Sequence, residues 1–276
     1  MRVKVITDST AYLPADIIDK YNITVVPLNV HFEGEVFKEG TRYSYKEYYD
    51  KLRKSSGFPI TSQPSAGEFL EVFEQLASGQ DALVILLSTK ISGTFQSANM
   101  ARDLLTDRNV NVHLVDSEFS GMGLGFQVIE ACELLEAGKS IDEVTSRLAE
   151  MRKKMHLYFV VDNLEYLARG GRMSTISCKL GTLIQLKPVL ALQEGELALF
   201  QKVRTLPRAM AVVLAELNKA QDSISKIAII NVEYQEKALQ LQEQLQQKYD
   251  VPVSICELGP VVGSHLGPGS LGVVFY

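Results

Sequence analysis

Two hydroxyl-rich segments are the parts of the sequence best suited to chemistry, because each precedes a helical pattern. In the first, Thr61, Ser62 and Ser65 surround Pro64, and the second spans residues 88–97 and includes Ser92. Hydroxyls and the free backbone N–H groups of a helix N-terminus favour an anion, and neither segment has an obvious general base. These features indicate anion binding, whereas the alternative is two ordinary helix caps, and the spacing alone does not decide between them.

The start of the helix after the first segment is predicted by its spacing. Ser65 and Glu68 stand three residues apart, as in a capping box, so the helix should begin at Ser65. Thr61 and Ser62 are then left on an extended segment just ahead of it. Ser44 and Ser140, each three residues before a glutamate, predict two more helix starts.

Other residues that could do chemistry are scattered. Asp8, Asp116 and Asp162 each close a predicted strand, where acid–base work is possible but hydrogen bonding to the next loop is the simpler interpretation. His265 lies in a glycine-rich setting, and its sequence context favours a structural role over a functional one. The four histidines are far apart and no Cys-x-x-Cys pair, Walker loop or Gly-x-Ser-x-Gly motif occurs, so the sequence argues against a metal site and a nucleotide site.

Basic residues are concentrated in the second half of the chain. A solvated face is the default interpretation for them. The alternative is an anion or partner contact, since guanidinium groups suit bidentate pairing with carboxylate or phosphate. The candidates for such a contact are Arg169, Arg172, Lys202 and Arg204.

The composition of the 276-residue chain restricts the function class. Its net charge of −5 argues against general nucleic-acid binding, and no apolar run reaches the length of about 20 residues that spans a bilayer. Cys132, Cys178 and Cys256 are scattered among apolar neighbours, which predicts buried free thiols in a reducing compartment. The N-terminus goes straight into a strand pattern without a signal-peptide h-region, so a cytoplasmic protein is expected.

Strand and helix patterns alternate, which predicts an α/β protein of two domains. Residues 1–155 should form a larger domain with a parallel sheet, in which residues 24–32 are one strand and residues 82–87 a doubly buried one. Residues 156–276 should form a smaller mixed-sheet domain with a hairpin turn at Glu194-Gly195 and a glycine-rich turn region over residues 259–269.

Six motifs in this order, spread over the whole chain, resemble those of the DegV family. No single motif is as specific as the set of six. They are Asp8-Ser9-Thr10, Thr61-Ser62-Gln63-Pro64-Ser65, Ile91-Ser92-Gly93-Thr94-Phe95-Gln96-Ser97, Gly170-Gly171-Arg172, Lys202-Val203-Arg204-Thr205 and Gly263-Ser-His-Leu-Gly-Pro-Gly269.

The resemblance implies a two-domain DegV-like fold that holds one long-chain fatty acid between its domains, with no cofactor and no catalytic residue. It implies that Thr61, Ser92 and His265 bind the carboxylate, and that Ser62 and Gly93 contact it as well. It also implies a partner, the ATP-binding subunit of a fatty acid kinase, which would convert the carboxylate to an acyl phosphate.

Two alternatives stay open. The fold implied is also similar to that of dihydroxyacetone kinase subunits, in which a histidine holds the substrate covalently, so an enzyme or substrate-binding subunit of that kind is one alternative. A lipid sensor without a kinase partner is the other.

Overall fold

The computed structural model describes residues 3–106, 109–173 and 186–276. Cys178, one of the three predicted free thiols, lies outside these ranges, whereas Cys132 and Cys256 are free and buried. No helix within the described ranges is long and apolar enough to cross a membrane.

The first half contains a four-stranded parallel sheet with the order β2-β1-β6-β7. Its strands are β1 Val3–Asp8, β2 Thr24–Val26, β6 Asp81–Leu86 and β7 Asn111–Asp116. The predicted strand over residues 82–87 is confirmed as β6, which is buried almost throughout, as a strand covered on both faces should be. The helices of this half are α1 Ala15–Tyr21, α2 Tyr45–Lys54, α3 Ala66–Glu74, α4 Thr94–Leu104, α5 Met122–Glu136 and α6 Ile141–Lys154, with a 3₁₀ turn at Ser9–Ala11.

A second, antiparallel sheet of three short strands differs from the prediction of one strand over residues 24–32. Its order is β4-β3-β5, with β3 Asn29–Phe32, β4 Glu35–Lys38 and β5 Ile60–Ser62. Pro27 has no N–H for a sheet ladder, which explains why β2 ends at Val26 and the chain enters a new sheet. The register pairs Thr61 with Val30, so this small sheet positions the first hydroxyl-rich segment.

The three predicted helix starts are confirmed. Ser44, Ser65 and Ser140 are the N-caps of α2, α3 and α6, and each forms a complete capping box with the glutamate three residues later. Two backbone donors at each helix start are thereby satisfied by short-range sequence alone.

The second half contains a six-stranded mixed sheet with the order β10-β9-β8-β13-β11-β12. Its strands are β8 His156–Val160, β9 Lys187–Gln193, β10 Glu196–Val203, β11 Ile227–Val232, β12 Val253–Glu257 and β13 Ser270–Phe275. The predicted hairpin is confirmed, since Glu194 and Gly195 join β9 to β10 with φ angles of 49° and 82°. The helices are α7 Glu165–Arg169, α8 Leu206–Lys219, α9 Gln235–Gln246 and α10 Pro260–Leu266, with a 3₁₀ turn at Gln221–Ser223.

The prediction of a turn region over residues 259–269 was wrong in part, because residues Pro260–Leu266 form α10. Glycines lower helix propensity, and their number here hid the helix. Gly263 is nevertheless required inside it, since the Tyr49 side chain of α2 occupies the space that a Cβ would need.

One hydrophobic core runs through both halves of the molecule. Leu83 and Leu124 of the first half and Phe159 and Val274 of the second belong to the same buried cluster. The predicted domain boundary at residues 155 and 156 falls between α6 and β8.

Candidate functional site

A cavity lies between the two halves and is lined by residues of both. Most of its lining is aliphatic, with leucines from both halves, and its polar side chains are Thr61, Ser92, Ser120, Arg172 and His265.

Thr61 and His265 are 204 residues apart in the chain and meet at this cavity. The Thr61 Oγ1 and His265 Nε2 atoms are 2.7 Å apart. β5 presents the threonine and α10 presents the histidine, so the contact joins the small sheet to the second half. Each side chain is half-buried, which leaves this end of the cavity reachable from outside.

The other side of the imidazole is closed by Gly170, at the end of α7. A Cβ at Gly170 would overlap the His265 Nδ1 atom, so only glycine lets the backbone approach the imidazole this closely. Nδ1 is buried and has no hydrogen-bond partner among the described residues. Burial, with a smaller contribution from the Arg172 guanidinium, lowers the pKa of His265 to about 3. The imidazole is therefore neutral at physiological pH.

Arg172 brings a positive charge to the same cavity. Its Nη1 donates to the Gly170 carbonyl oxygen at 2.8 Å and its Nε to the Ile91 carbonyl oxygen at 3.3 Å. Burial lowers the pKa of this guanidinium, but arginine stays charged at any ordinary pH. With His265 neutral, Arg172 is the only charged residue among the described residues that line the cavity.

Ser92 lies at the entrance of α4. Its Oγ is 2.9 Å from the Thr94 Oγ1 and accepts a hydrogen bond from the Thr94 backbone N–H at 3.3 Å. The N-cap of α4 is Gly93, which has no side-chain cap, so Ser92 is not the cap of this helix but forms a local turn with Thr94, and it also lines the cavity. Gly93 follows it, and the Gln63 side chain packs where a Cβ of Gly93 would stand, which joins the two hydroxyl-rich segments.

The structure brings some predicted site residues together and not others. Thr61, Ser92, His265 and Arg172 line one cavity, whereas neither Ser62 nor Gly93 is among the described residues that do so. The Ser62 Oγ is instead 3.0 Å from the His31 Nε2, since successive residues of a strand point to opposite faces.

The remaining basic candidates lie outside the cavity. Arg169 is exposed, forms an ion pair with Glu165 at 3.1 Å and lies over the Phe58 ring. Lys202 and Arg204 are at and just beyond the end of β10, away from the described residues of the cavity lining, and Lys202 is exposed. The four predicted contact residues thus do not form one cluster in the structure.

Asp8 and Asp116 bind the loops that follow their strands, as the simpler interpretation predicted, whereas Asp162 pairs with a residue of strand β9. Asp8 is fully buried and accepts hydrogen bonds from the backbone N–H groups of Thr10 and Leu87. Burial raises the pKa of Asp8 to about 6. Asp116 accepts from Thr89, and Asp162 forms an ion pair with Lys187.

The sequence reasoning missed the residues that shape the rest of the cavity. Leu167 of α7 and Leu192 and Leu197 of the β9–β10 hairpin line it, and the motifs give no signal for them. Apolar residues of this kind look the same in a sequence whether they fill a core or surround a cavity.

Taken together, the cavity can bind an amphipathic anion. The hydroxyls and the imidazole offer hydrogen bonds, Arg172 offers charge, and the aliphatic lining accepts a hydrocarbon. The Thr61 hydroxyl lies within hydrogen-bond distance of the His265 imidazole, but a histidine whose pKa is lowered to about 3 is a weak general base, so the pair is better suited to binding than to nucleophilic attack.

Comparison with known proteins gives a consistent result. A profile of the family described as uncharacterised protein, DegV family, matches residues 2–276. The chain belongs to the DegV family. A DegV domain-containing protein of Clostridium acetobutylicum is 35% identical over 281 residues, covering 100% of this chain and 98% of that protein.

Two solved structures of DegV proteins have the same fold. DegV, a fatty acid binding protein from Bacillus subtilis, is similar with a TM-score of 0.93 and 34% identity, covering 100% of this chain and 99% of that one. A fatty-acid-binding DegV family protein from Thermus thermophilus is similar with a TM-score of 0.90 and 32% identity over the same shares. The expected DegV-like fold is thereby confirmed, and both of these similar proteins are described as binding fatty acids.

Proposed function

We propose that this protein binds one long-chain fatty acid in the cavity between its two halves. The acyl chain lies against the aliphatic lining, and the carboxylate lies at the polar end with Thr61, Ser92 and His265. The observation that carries this proposal is that these three residues, distant in sequence, line one largely apolar cavity together with Arg172.

The affinity and the orientation have different sources. At about 0.8 kcal/mol per buried methylene, a long acyl chain supplies most of the binding free energy. An unpaired carboxylate at the half-buried end would cost several kcal/mol, so the hydroxyls and Arg172 chiefly offset its desolvation. The neutral His265 adds a hydrogen bond without a second full charge.

We further propose that the protein acts in the cytoplasm as the substrate-presenting subunit of a fatty acid kinase, which turns the bound carboxylate into an acyl phosphate for phospholipid synthesis. The half-buried Thr61, Ser92 and His265 leave the head group accessible to a partner, and the sequence has no nucleotide loop of its own. Arg169, Lys202 and Arg204 remain the candidates for partner contact, whereas Arg172 is better placed to contact the carboxylate.

The binding proposal is tested by extracting lipid from purified protein and identifying it by mass spectrometry. One fatty acid per chain is expected. A Thr61→Ala, Ser92→Ala double variant should bind palmitate at least tenfold more weakly, since each lost hydrogen bond to a charged group costs about 1.5–3 kcal/mol. Ser62→Ala is the matched control, because Ser62 contacts His31 instead, and it should bind like the wild type.

If the purified protein contains no lipid and also binds no added fatty acid, the proposal is overturned. Presentation to a kinase is tested separately, by ATP-dependent acyl phosphate formation with a purified ATP-binding subunit. Arg204→Glu should keep the fatty acid and lose this activity. Full activity of that variant would remove Arg204 from the docking surface.

A further inference from the structure

The helix that carries His265 is attached to the first half of the molecule by side chains. The Tyr48 hydroxyl is 2.6 Å from the Ser264 Oγ, and the Tyr49 hydroxyl donates to the Leu258 carbonyl oxygen at 2.7 Å. Both tyrosines belong to α2 and are fully buried. At seven residues α10 is too short to be stable by itself, so these contacts determine where it lies.

The first turn of α10 lacks a cap of its own. Its N-cap is Gly259, which provides no side-chain hydrogen bond, and Pro260 has no N–H. The Gly263 N–H is satisfied by the Gly259 carbonyl oxygen at 2.8 Å. The backbone N–H groups of Val261 and Val262 are therefore the two donors that need partners from elsewhere.

Both partners come from the first half. The Glu39 Oε1 accepts from the Val261 N–H at 2.8 Å, and the Tyr12 hydroxyl accepts from the Val262 N–H at 3.2 Å. The Tyr12 hydroxyl in turn donates to the same Glu39 oxygen at 3.0 Å. Glu39 is only 5% exposed, and its other oxygen, Oε2, has no hydrogen-bond partner among the described residues. Removing a carboxyl group from water costs free energy. The burial of Glu39 therefore needs an explanation other than a solvated surface charge.

Val261 and His265 are four residues apart, one helical turn, and both line the cavity. Holding the Val261 N–H therefore fixes the height and rotation of the helix face from which His265 reaches Thr61. We propose that Glu39, with Tyr12, is a positioning residue for the head-group site, capping α10 from the other half so that His265 meets Thr61. This inference rests on the proposed fatty-acid binding and adds to it a residue that lies outside the cavity lining.

A positioning role of Glu39 and a merely stabilising role of Glu39 predict different binding results. If Glu39 acts through His265, its loss should weaken the binding of the carboxylate but hardly affect the acyl chain. Glu39→Ala should therefore bind palmitate about tenfold more weakly and hexadecanol, which lacks the carboxylate, nearly as well as the wild type. Glu39→Gln keeps an oxygen that can accept from the Val261 N–H, and it should restore palmitate affinity to within about threefold.

Glu35→Ala is the matched control, since Glu35 lies on the neighbouring strand β4 and forms surface ion pairs with Arg42 and Lys51. It should leave both affinities unchanged. Equal losses for palmitate and hexadecanol in Glu39→Ala, or no loss at all, would overturn the positioning role. If that variant does not fold, Tyr12→Phe removes only the hydroxyl that caps Val262 and should show the same selective loss.

A ligand-free measurement separates this inference from the proposed function. In ¹⁵N-labelled protein, the His265 Nε2 resonance reports its contact with Thr61. It should shift in Glu39→Ala and stay in place in Glu39→Gln and Glu35→Ala. An unshifted resonance in Glu39→Ala overturns the inference even if palmitate binds, and a shifted one supports it even if palmitate does not.

Discussion

Single residues in this protein show how a short motif can carry a structural and a binding requirement together. The Arg169-Gly170-Gly171-Arg172 sequence indicated anion contact through its arginines. Its first glycine is also required, because a side chain at that position would overlap the His265 ring. Gly170 lies against the buried edge of the His265 ring, and its carbonyl oxygen also accepts from Arg172. One backbone segment thereby positions both the imidazole and the guanidinium of the cavity.

Replacing Gly170 with alanine should displace His265, because the new methyl group would occupy the position of Nδ1. We expect palmitate affinity to fall by tenfold or more with the fold retained, as judged by circular dichroism. Ala168→Ser, two residues earlier in α7, serves as the control and should bind normally. Unchanged palmitate binding by Gly170→Ala would mean that the imidazole can move without cost.

The polar residues Thr61, Ser92 and His265 of the cavity could be predicted from the sequence, and their neighbours could not. Thr61, Ser92 and His265 lie within distinctive motifs and line one cavity. Glu39 and Tyr12 have no motif, since their partners are backbone N–H groups more than 200 residues away. A side chain that caps a helix from another part of the fold leaves no local pattern.

Strands β8 and β9 form part of the wall of the cavity. The register that pairs Tyr158 of β8 with Ala191 of β9, carried one residue further, sets Leu157 beside Leu192. Both leucines line the cavity, and both also line an open groove that includes Phe119 and Met155. This pair of side chains is therefore a thin partition between the cavity and solvent.

Shortening the partition should lengthen the preferred acyl chain. In a Leu157→Ala, Leu192→Ala variant, the optimum in a competition series from C14 to C22 should move up by at least two carbons. Each extra buried methylene should gain about fourfold in affinity at about 0.8 kcal/mol. Leu271→Ala, on the opposite face of the sheet, is the control for lost stability. The same chain-length profile in both variants would place the limit elsewhere.

Elements with local signals could be predicted, and elements that depend on distant partners could not. The three capping boxes and the Glu194-Gly195 hairpin follow short-range rules and agree with the structure. The three-stranded sheet was missed because its strands are three or four residues long and are paired only through tertiary contacts. Helix α10 was missed because its stability comes from α2 and from residues of the first half.

At the scale of the whole molecule, buried acids make stability depend on pH. Burial raises the pKa of Glu39 to about 7 from an unfolded value near 4.5, and the charge of Asp8 adds to the rise. The native state then binds more protons than the unfolded state between these two pH values. The contribution of Glu39 to the free energy of unfolding should therefore fall as pH rises from about 4.5 to 7.

Glu39→Gln should remove this part of the pH dependence. Relative to the wild type, its free energy of unfolding should increase with pH, by up to about 3 kcal/mol between pH 4.5 and pH 8. Urea unfolding of both proteins across this range measures the difference, and His265, which shifts in the opposite direction, cancels from it. Parallel curves would show that Glu39 does not titrate in this window.

The position of β13 has a consequence for how the protein is made. This strand follows β8 and β11 in the chain, yet it lies between them and pairs with both. A growing chain on the ribosome cannot close the six-stranded sheet before the residues of β13 have been synthesised. Earlier fragments would expose the edges of β8 and β11, which invites aggregation. Under the proposed function, lipid loading would then mark a chain whose synthesis has passed this point, and fragments ending before it should carry no fatty acid.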